Sequence, residues 1–480
     1  MSSFVDSIAT QVGIHPDLLK IALCIVLSFP LGSLVKRIPS RMPLVKDSVV
    51  IFIGMFYLSG IFSLYKEALF MICLSILTYA LATVFPRNKH MPWFNFTIQM
   101  GFMLYTHCLE QFSGGDYVNN IGISGTQMII IQKLTSFAWN VYDNSKPDDQ
   151  LSAYQKEMRI SSRPSFLRFL AWVFFFPTLM TGPACTYHEY DIWANEKIFG
   201  NTKPQPRCGA LILRRLGEGL IWIVLYMKTG YLSSDNEFYL KDWYVSRSFW
   251  FKATSLWILG FLYRTKYYAA WTMSEAACMH IGFSYNGIDS ETGKVRWDRM
   301  SNIRPVGVEF GQNIRGVLAD WNIITASWLR NYVYLRVVKE GKKPGARATY
   351  ITFLVSALWH GTRPGYYLTF ITAAFYQIFG KIYRRNLRPI FVGTKFKAVY
   401  DILTWLVTQY ALGYAAMPFM LLNFTPAFIV WASVYFYIFV GLAISWILLS
   451  GPLRKFVLPS LRKLQNTSGT AVPKDTRKEK

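Results

Sequence analysis

From Ile402 to Leu453 the chain carries no charged residue. A run of that length cannot serve as the surface of a water-soluble protein, whose exposed face must be largely polar and charged. It suffices for two crossings of a bilayer, since each needs about 20 apolar residues. Pro418 and Pro426 interrupt the run, so it reads as a two-helix hairpin. Further apolar runs poor in charge lie near 21–35, 48–65, 68–86, 92–109, 164–185, 211–227, 249–263, 349–359 and 366–380. Several are shorter than a full crossing and predict short, tilted or re-entrant segments. Composition agrees, with 52% hydrophobic, 17% aromatic and only 16% charged residues. The expected fold is an all-α polytopic integral membrane protein of roughly ten to twelve transmembrane or re-entrant helices.

The net charge of +24 raises the question of nucleic acid. The cations are scattered over short loops instead of covering one soluble face, and no nucleic-acid-binding motif is present. They read as cytosolic loops obeying the positive-inside bias and touching anionic lipid. Residues 1–20 hold Asp6, His15 and Asp17 and lack a basic segment followed by an apolar core, so insertion is expected to begin at the first span. The six cysteines show no paired spacing and read as small hydrophobes, not metal ligands. One membrane domain over residues 1–455 and a basic polar tail over 456–480 describe the organisation.

Four stretches carry candidate chemistry. In Trp359-His360-Gly361-Thr362-Arg363-Pro364-Gly365-Tyr366-Tyr367 a histidine ends the apolar run that begins at Ile351. An ionisable group at such a position is a functional-site hypothesis, because something must offset its desolvation. Gly361, Pro364 and Gly365 predict a helix break beside it. The second stretch runs from Asp320 to Tyr334, where helical spacing would place Trp321, Thr325 and Trp328 on one face with Asn322 beside it. It reads equally as an amphipathic helix at headgroup depth. Third, Tyr267, Trp271 and Glu275 recur every four residues; the carboxylate would pair with a nearby cation or contact a substrate headgroup. The fourth comprises Gln132-Lys133-Leu134-Thr135, read as a polar break, and Gly182-Pro183, read as ending an aromatic-rich helix. Lys339, Lys342, Lys343 and Arg347 lie between the second stretch and His360, and form either an ordinary cytosolic loop or a phosphate-holding one.

One histidine and one asparagine suffice for transfer of an acyl group from a thioester to an alcohol. A neutral imidazole takes the hydroxyl proton as the oxygen attacks. An amide donor orients the ring or stabilises charge on the carbonyl oxygen. The thiolate leaves readily, so no covalent enzyme intermediate is required.

Taken together, these segments resemble the membrane-bound O-acyltransferase family. Within it they are most similar to the lysophospholipid acyltransferase branch, especially fungal and plant members of broad headgroup range. The similarity runs from about Ile121 to Phe370 and includes Gln132-Lys133-Leu134-Thr135 and Gly182-Pro183 in the same order. It implies helices around a buried tunnel that opens sideways, with His360 and Asn322 as the catalytic pair. Acyl-CoA would be a co-substrate, with no permanently bound cofactor, and a lysophospholipid would accept the acyl group at its free sn-2 hydroxyl. Trp321, Trp328, Tyr267, Trp271, Glu275, Trp359, Arg363 and Tyr366 become substrate-contacting candidates. Lys339, Lys342, Lys343 and Arg347 become candidates for the coenzyme A phosphates.

Neighbouring chemistries are excluded by pattern. No histidine has an aspartate five residues on, and no H-E-x-x-H, Walker A or Rossmann fingerprint occurs. His188-Glu189-Tyr190 resembles the catalytic segment of the sterol and diacylglycerol acyltransferase branch, but it follows a Gly-Pro turn instead of an apolar helix and His360 already fills the matching position, so the match reads as coincidental. Neutral-lipid or protein O-acyl transfer stays open as an alternative, as does a transporter, although no repeat symmetry between halves is visible. Arg477 and Lys478 near the end of the tail resemble a retrieval signal of the endoplasmic reticulum, which requires a cytosolic C-terminus. Lys455, Arg454, Arg462 and Lys463 favour that side.

Overall fold

The structure is a computed structural model that describes all residues except 1, 13–14, 113–120, 201, 203–204, 235–237, 339–341, 343–344 and 468–480. Among the described residues it is helical throughout, with two isolated β-bridges and no sheet. The first half contains α1 (Pro16–Lys36), α2 (Pro43–Met55, extended by a π-helical turn to Ile61), α3 (Tyr65–Val84), α4 (Met91–Phe112) and α5 (Ile121–Asp143). A short α6 (Phe166–Val173) precedes the long α7 (Gly209–Ser234) and α8 (Phe249–His280). Next come α9 (Ile323–Leu329), α10 (Ala346–His360), α11 (Pro364–Asn386) and α12 (Lys397–Leu421). The chain closes with α13 (Phe424–Ser433), α14 (Tyr437–Leu449) and α15 (Arg454–Thr467).

By length and hydropathy, α1, α2 with its π extension, and α3 each suffice to cross a membrane, and the bent pair α13–α14 passes as one broken span. The remaining long helices carry polar side chains on faces turned toward one another. α5 shows why. Its Gln132, Lys133, Thr135, Ser136, Asn140 and Asp143 are all buried, in a helix that runs 23 residues without a break. The expected polar break at Lys133 is therefore absent. The Lys133 ammonium donates to the carbonyls of Trp172 and Val173, at 3.0 and 3.1 Å, and to the Thr178 hydroxyl at 3.2 Å. Those carbonyls lie at the end of α6, where the regular intrahelical bonds run out and a cation is favoured by the helix dipole. This also relocates the helix end expected at Gly182: α6 stops at Val173, nine residues earlier. Phe137, Phe169, Trp172 and Tyr187 pack around the junction with ring centroids 4.7–5.8 Å apart.

The other face of α5 holds the α9 segment. Gln132 donates to the Thr325 hydroxyl at 3.1 Å, and Trp328 donates through its indole nitrogen to Thr135 at 3.0 Å. One turn further, Tyr332 donates to Asn140 at 2.9 Å. The ladder ends in a fork, where Arg336 meets the fully buried Asp143 carboxylate at 2.7 and 2.5 Å while lying 4.2 Å over the Trp139 ring.

At the C-terminal end the chain has two breaks where the sequence suggested one hairpin. α12 runs through Pro418 to Leu421 and ends at Leu422, whose φ is 62°. Pro426 lies in the first turn of α13, where its missing N–H costs nothing. A second break at Tyr435 and Phe436 bends α13 against α14 by 71°. α15 spans the expected domain boundary at 455–456, so the first part of the tail is helical; Arg477 and Lys478 lie outside the described residues.

The Arg336–Asp143 fork yields a stability prediction. Arg336→Ala leaves a buried carboxylate unpaired, at a cost of about 3–5 kcal/mol. The apparent melting temperature in detergent should fall clearly, and adding Asp143→Asn to that variant should recover most of the loss. A melting curve for Arg336→Ala that overlays the wild type would remove this role.

Candidate active site

His360 is the last residue of α10, and the turn after it is built from two glycines with separate jobs. Gly361 adopts φ 144°, a conformation that residues with a side chain rarely take, and a Cβ there would come within 2.9 Å of the Tyr366 ring. Gly365 lies where α11 begins against the end of α12, and its N–H donates to Leu422 O at 2.7 Å. A Cβ on Gly365 would sit 2.0 Å from Pro418 O, so only glycine permits this approach. The close approach brings Phe419 edge-on to the His360 ring, with centroids 5.0 Å apart. Phe370 stacks on the ring's other side at 5.0 Å, and Tyr366 lies at 5.7 Å. Thr362 fastens the turn to α4 by donating to Gln111 at 2.7 Å. Apolar rings thus surround the half-buried imidazole, and among the described residues neither of its nitrogens has a hydrogen-bond partner.

Asn322 occupies a second strained turn. It has φ 45° and ψ 54°, the left-handed region that asparagine tolerates better than most residues, and it starts α9. The turn is held by Asn302. The Asn302 carboxamide donates to Asn322 Oδ1 at 3.2 Å and accepts from Ile324 N at 3.1 Å, while its backbone carbonyl accepts from Ile323 N at 2.9 Å. A bridge between Ile303 and Trp321 and an ion pair between Arg304 and Asp320 extend the clasp. The clasp is itself tied to α8, where Arg264 forks onto Glu309 at 2.9 and 2.8 Å and Tyr268 donates to the same carboxylate. With Oδ1 engaged by Asn302, the Asn322 NH2 group is left to act as a donor.

Aromatic rings connect the two turns. Phe419 beside His360 is 6.5 Å from Tyr263, Tyr263 is 6.0 Å from Tyr267, and Tyr267 is 5.6 Å from Trp321. Trp271 closes the row, 5.2 Å from Trp321. The wall carries one cation, Lys266, whose ammonium lies 3.8 Å from the Tyr263 centroid. A histidine with free nitrogens and an asparagine with a free amide donor therefore stand at the ends of one aromatic wall inside a helical membrane protein.

Comparison with known proteins decides the family. The membrane-bound O-acyltransferase family model matches residues 120–421. The chain belongs to the membrane-bound O-acyltransferase family. It is 40% identical to the lysophospholipid acyltransferase of Saccharomyces cerevisiae, covering 97% of this chain and 79% of that protein. The protein of the same name from Schizosaccharomyces pombe is 38% identical, over 95% of this chain and 90% of the relative. The human membrane-bound glycerophospholipid O-acyltransferase 1 is 30% identical, over 82% and 80%. As a family member the chain is a multi-pass membrane acyltransferase.

Within this O-acyltransferase the predicted residues fall in different places. His360, Tyr366, Trp321, Tyr267 and Trp271 belong to the walled site, and Arg363 starts α11 beside it. Trp328 and Trp359 are core residues with their indole N–H groups spent on Thr135 and on Met128 O (3.1 Å). Trp321 and Trp328 do not share a helix face as spacing suggested: the chain is still extended at Trp321, which turns toward α8 while Trp328 turns toward α5. Glu275 is buried and pairs with Arg215 at 3.4 Å. Lys342 and Arg347 are exposed; Lys339 and Lys343 lie outside the described residues. Glu189 closes a capping box with Thr186, a local structural task. Sequence reasoning missed Tyr263, Phe370, Phe419, Lys266 and Asn302. Extending the Tyr267-Trp271-Glu275 period one turn upstream points to Tyr263. Asn302 has no such signal, because it acts across the fold.

Proposed function

We propose that the protein transfers a fatty acyl group from acyl-CoA to the free hydroxyl of a lysophospholipid, at the sn-2 position. His360 acts as the base. Its unprotonated nitrogen takes the hydroxyl proton while the oxygen attacks the thioester carbonyl. The Asn322 amide donates to the carbonyl oxygen as negative charge gathers there. The tetrahedral species then collapses, the carbon–sulfur bond breaks, and coenzyme A leaves as a thiolate that recovers the proton from the imidazolium. The aromatic wall gives the acyl chain an apolar surface, and Lys266 supplies a positive charge for a phosphate. Lys342 and Arg347, with Lys339 and Lys343, would attract the coenzyme A phosphates. The observation that carries this reading is the His360 imidazole, packed among aromatic rings with no hydrogen-bond partner among the described residues, at a helix break in a membrane acyltransferase. The names of the two fungal relatives support a lysophospholipid as the acceptor.

The test offers purified protein labelled oleoyl-CoA with a panel of lysophospholipids, sterol and diacylglycerol. Label should enter phospholipid. His360→Ala should abolish transfer while still accumulating in membranes, and Asn322→Ala should lower turnover by roughly 10²–10³. Transfer by His360→Ala at the wild-type rate, or preferred labelling of sterol or diacylglycerol, would contradict the assignment.

The same reading places the enzyme in the endoplasmic reticulum membrane with a cytosolic C-terminus, supported by the cations of α15. The Asn466-Thr467-Ser468 sequon should then remain unmodified. A glycosidase-sensitive mobility shift lost in Asn466→Gln would put this end in the lumen.

A further inference from the structure

No carboxylate occurs between Asp401 and Asp475, yet residues 451–467 contain Arg454, Lys455, Arg462 and Lys463. The structure gathers three of these cations around one cavity. At the turn from α14 into α15, an open cavity of about 500 Å³ is lined by Ser450, Gly451, Arg454, Lys455, Leu458 and Arg462. Among the described residues no Asp or Glu pairs with Arg454, Lys455 or Arg462. α15 is fixed in place at its far end, where Gln465 donates to Asn386 O at 2.7 Å. That contact brings α15 to the end of α11, whose last turn adds Arg384 and Arg385, again in a stretch (381–400) without a carboxylate. Among the described residues no carboxylate offsets the self-repulsion of these like charges, which an anion from outside the chain would relieve.

Apolar side chains interleave with these cations and narrow the kind of anion. Phe456 and Leu464 are exposed on α15, Leu453 is exposed in the turn before it, and Trp446 is exposed on the last turn of α14. A soluble anion gains nothing from that surface, whereas a lipid whose headgroup lies among the cations covers it with its acyl chains. Arginine suits the phosphate, since its planar fork meets two oxygens at once. We infer that the α14–α15 cavity is a binding site for the headgroup phosphate of an anionic glycerophospholipid, distinct from the walled site at His360. The inference does not depend on which acceptor the enzyme acylates.

The experiment titrates full-length protein in neutral detergent with dioctanoyl phosphatidylserine, followed by native mass spectrometry and thermal shift. Binding should raise the melting temperature, and dioctanoyl phosphatidylcholine should do so far less. In the variant Arg454→Gln/Lys455→Gln/Arg462→Gln, phosphatidylserine affinity should fall roughly a hundredfold. Wild-type affinity for phosphatidylserine should itself drop as salt rises, a readout that holds even if the variant fails to fold. Neither inorganic phosphate nor coenzyme A should displace the lipid. The proposal is overturned by unchanged phosphatidylserine affinity in a folded variant, by salt-independent binding, or by equal binding of the choline lipid. Displacement by inorganic phosphate or coenzyme A would overturn it too, assigning the cavity to a soluble anion.

Discussion

Everything near the candidate site depends on the buried polar ladder of α5. A helix that turns glutamine, lysine, threonine, asparagine and aspartate away from water is tolerable only if each group finds a partner. In α5 the partners come from two directions. Lys133 closes the end of α6 on one face, and Gln132, Thr135, Asn140 and Asp143 receive the α9 segment on the other. Trp359 adds α10 to the same pillar by donating to Met128 O. The segments carrying Asn322 and His360 are thus indexed to one helix. Each neutral hydrogen bond contributes only about 1 kcal/mol net, but leaving any partner unpaired costs more, so the ladder specifies register more than it adds stability.

Two strained turns are stored on this frame. The left-handed conformation of Asn322 and the φ of 144° at Gly361 would relax in a free chain. They persist because the surroundings over-determine them: Asn302 and the Ile303–Trp321 bridge hold the first, while Thr362, Gly365 and Phe419 hold the second. Strain held this way keeps functional groups pointed: Asn302 engages the Asn322 Oδ1 and leaves its NH2 group free to donate. His360 is packed among the rings of Tyr366, Phe370 and Phe419 and, among the described residues, has no hydrogen-bond partner.

Much of this was legible in the sequence, and the misses have physical causes. Charge-free runs revealed the membrane class, the desolvation cost of His360 at the end of one marked it as functional, and Gly361, Pro364 and Gly365 revealed the helix break beside it. α5 went unrecognised as a helix because Gln132 and Lys133 look like a break until their distant partners are known. Helical spacing over Trp321, Thr325 and Trp328 was misleading for a related reason: a contact from Asn302, twenty residues upstream of Asn322, overrides the local pattern. The Ile402–Leu453 run showed its apolar nature but not its second break, since Tyr435 and Phe436 carry no turn signature.

Acyl transfer as proposed requires the aromatic wall between His360 and Asn322 to receive the acyl donor. An acyl-CoA bearing a photoreactive diazirine along its chain tests it most directly, with the modified residues mapped by mass spectrometry after illumination. Tyr263, Tyr267, Phe370 and Phe419 should be labelled, and excess oleoyl-CoA should suppress that labelling. Competable labelling confined to other helices, with these four residues unmodified, would contradict it.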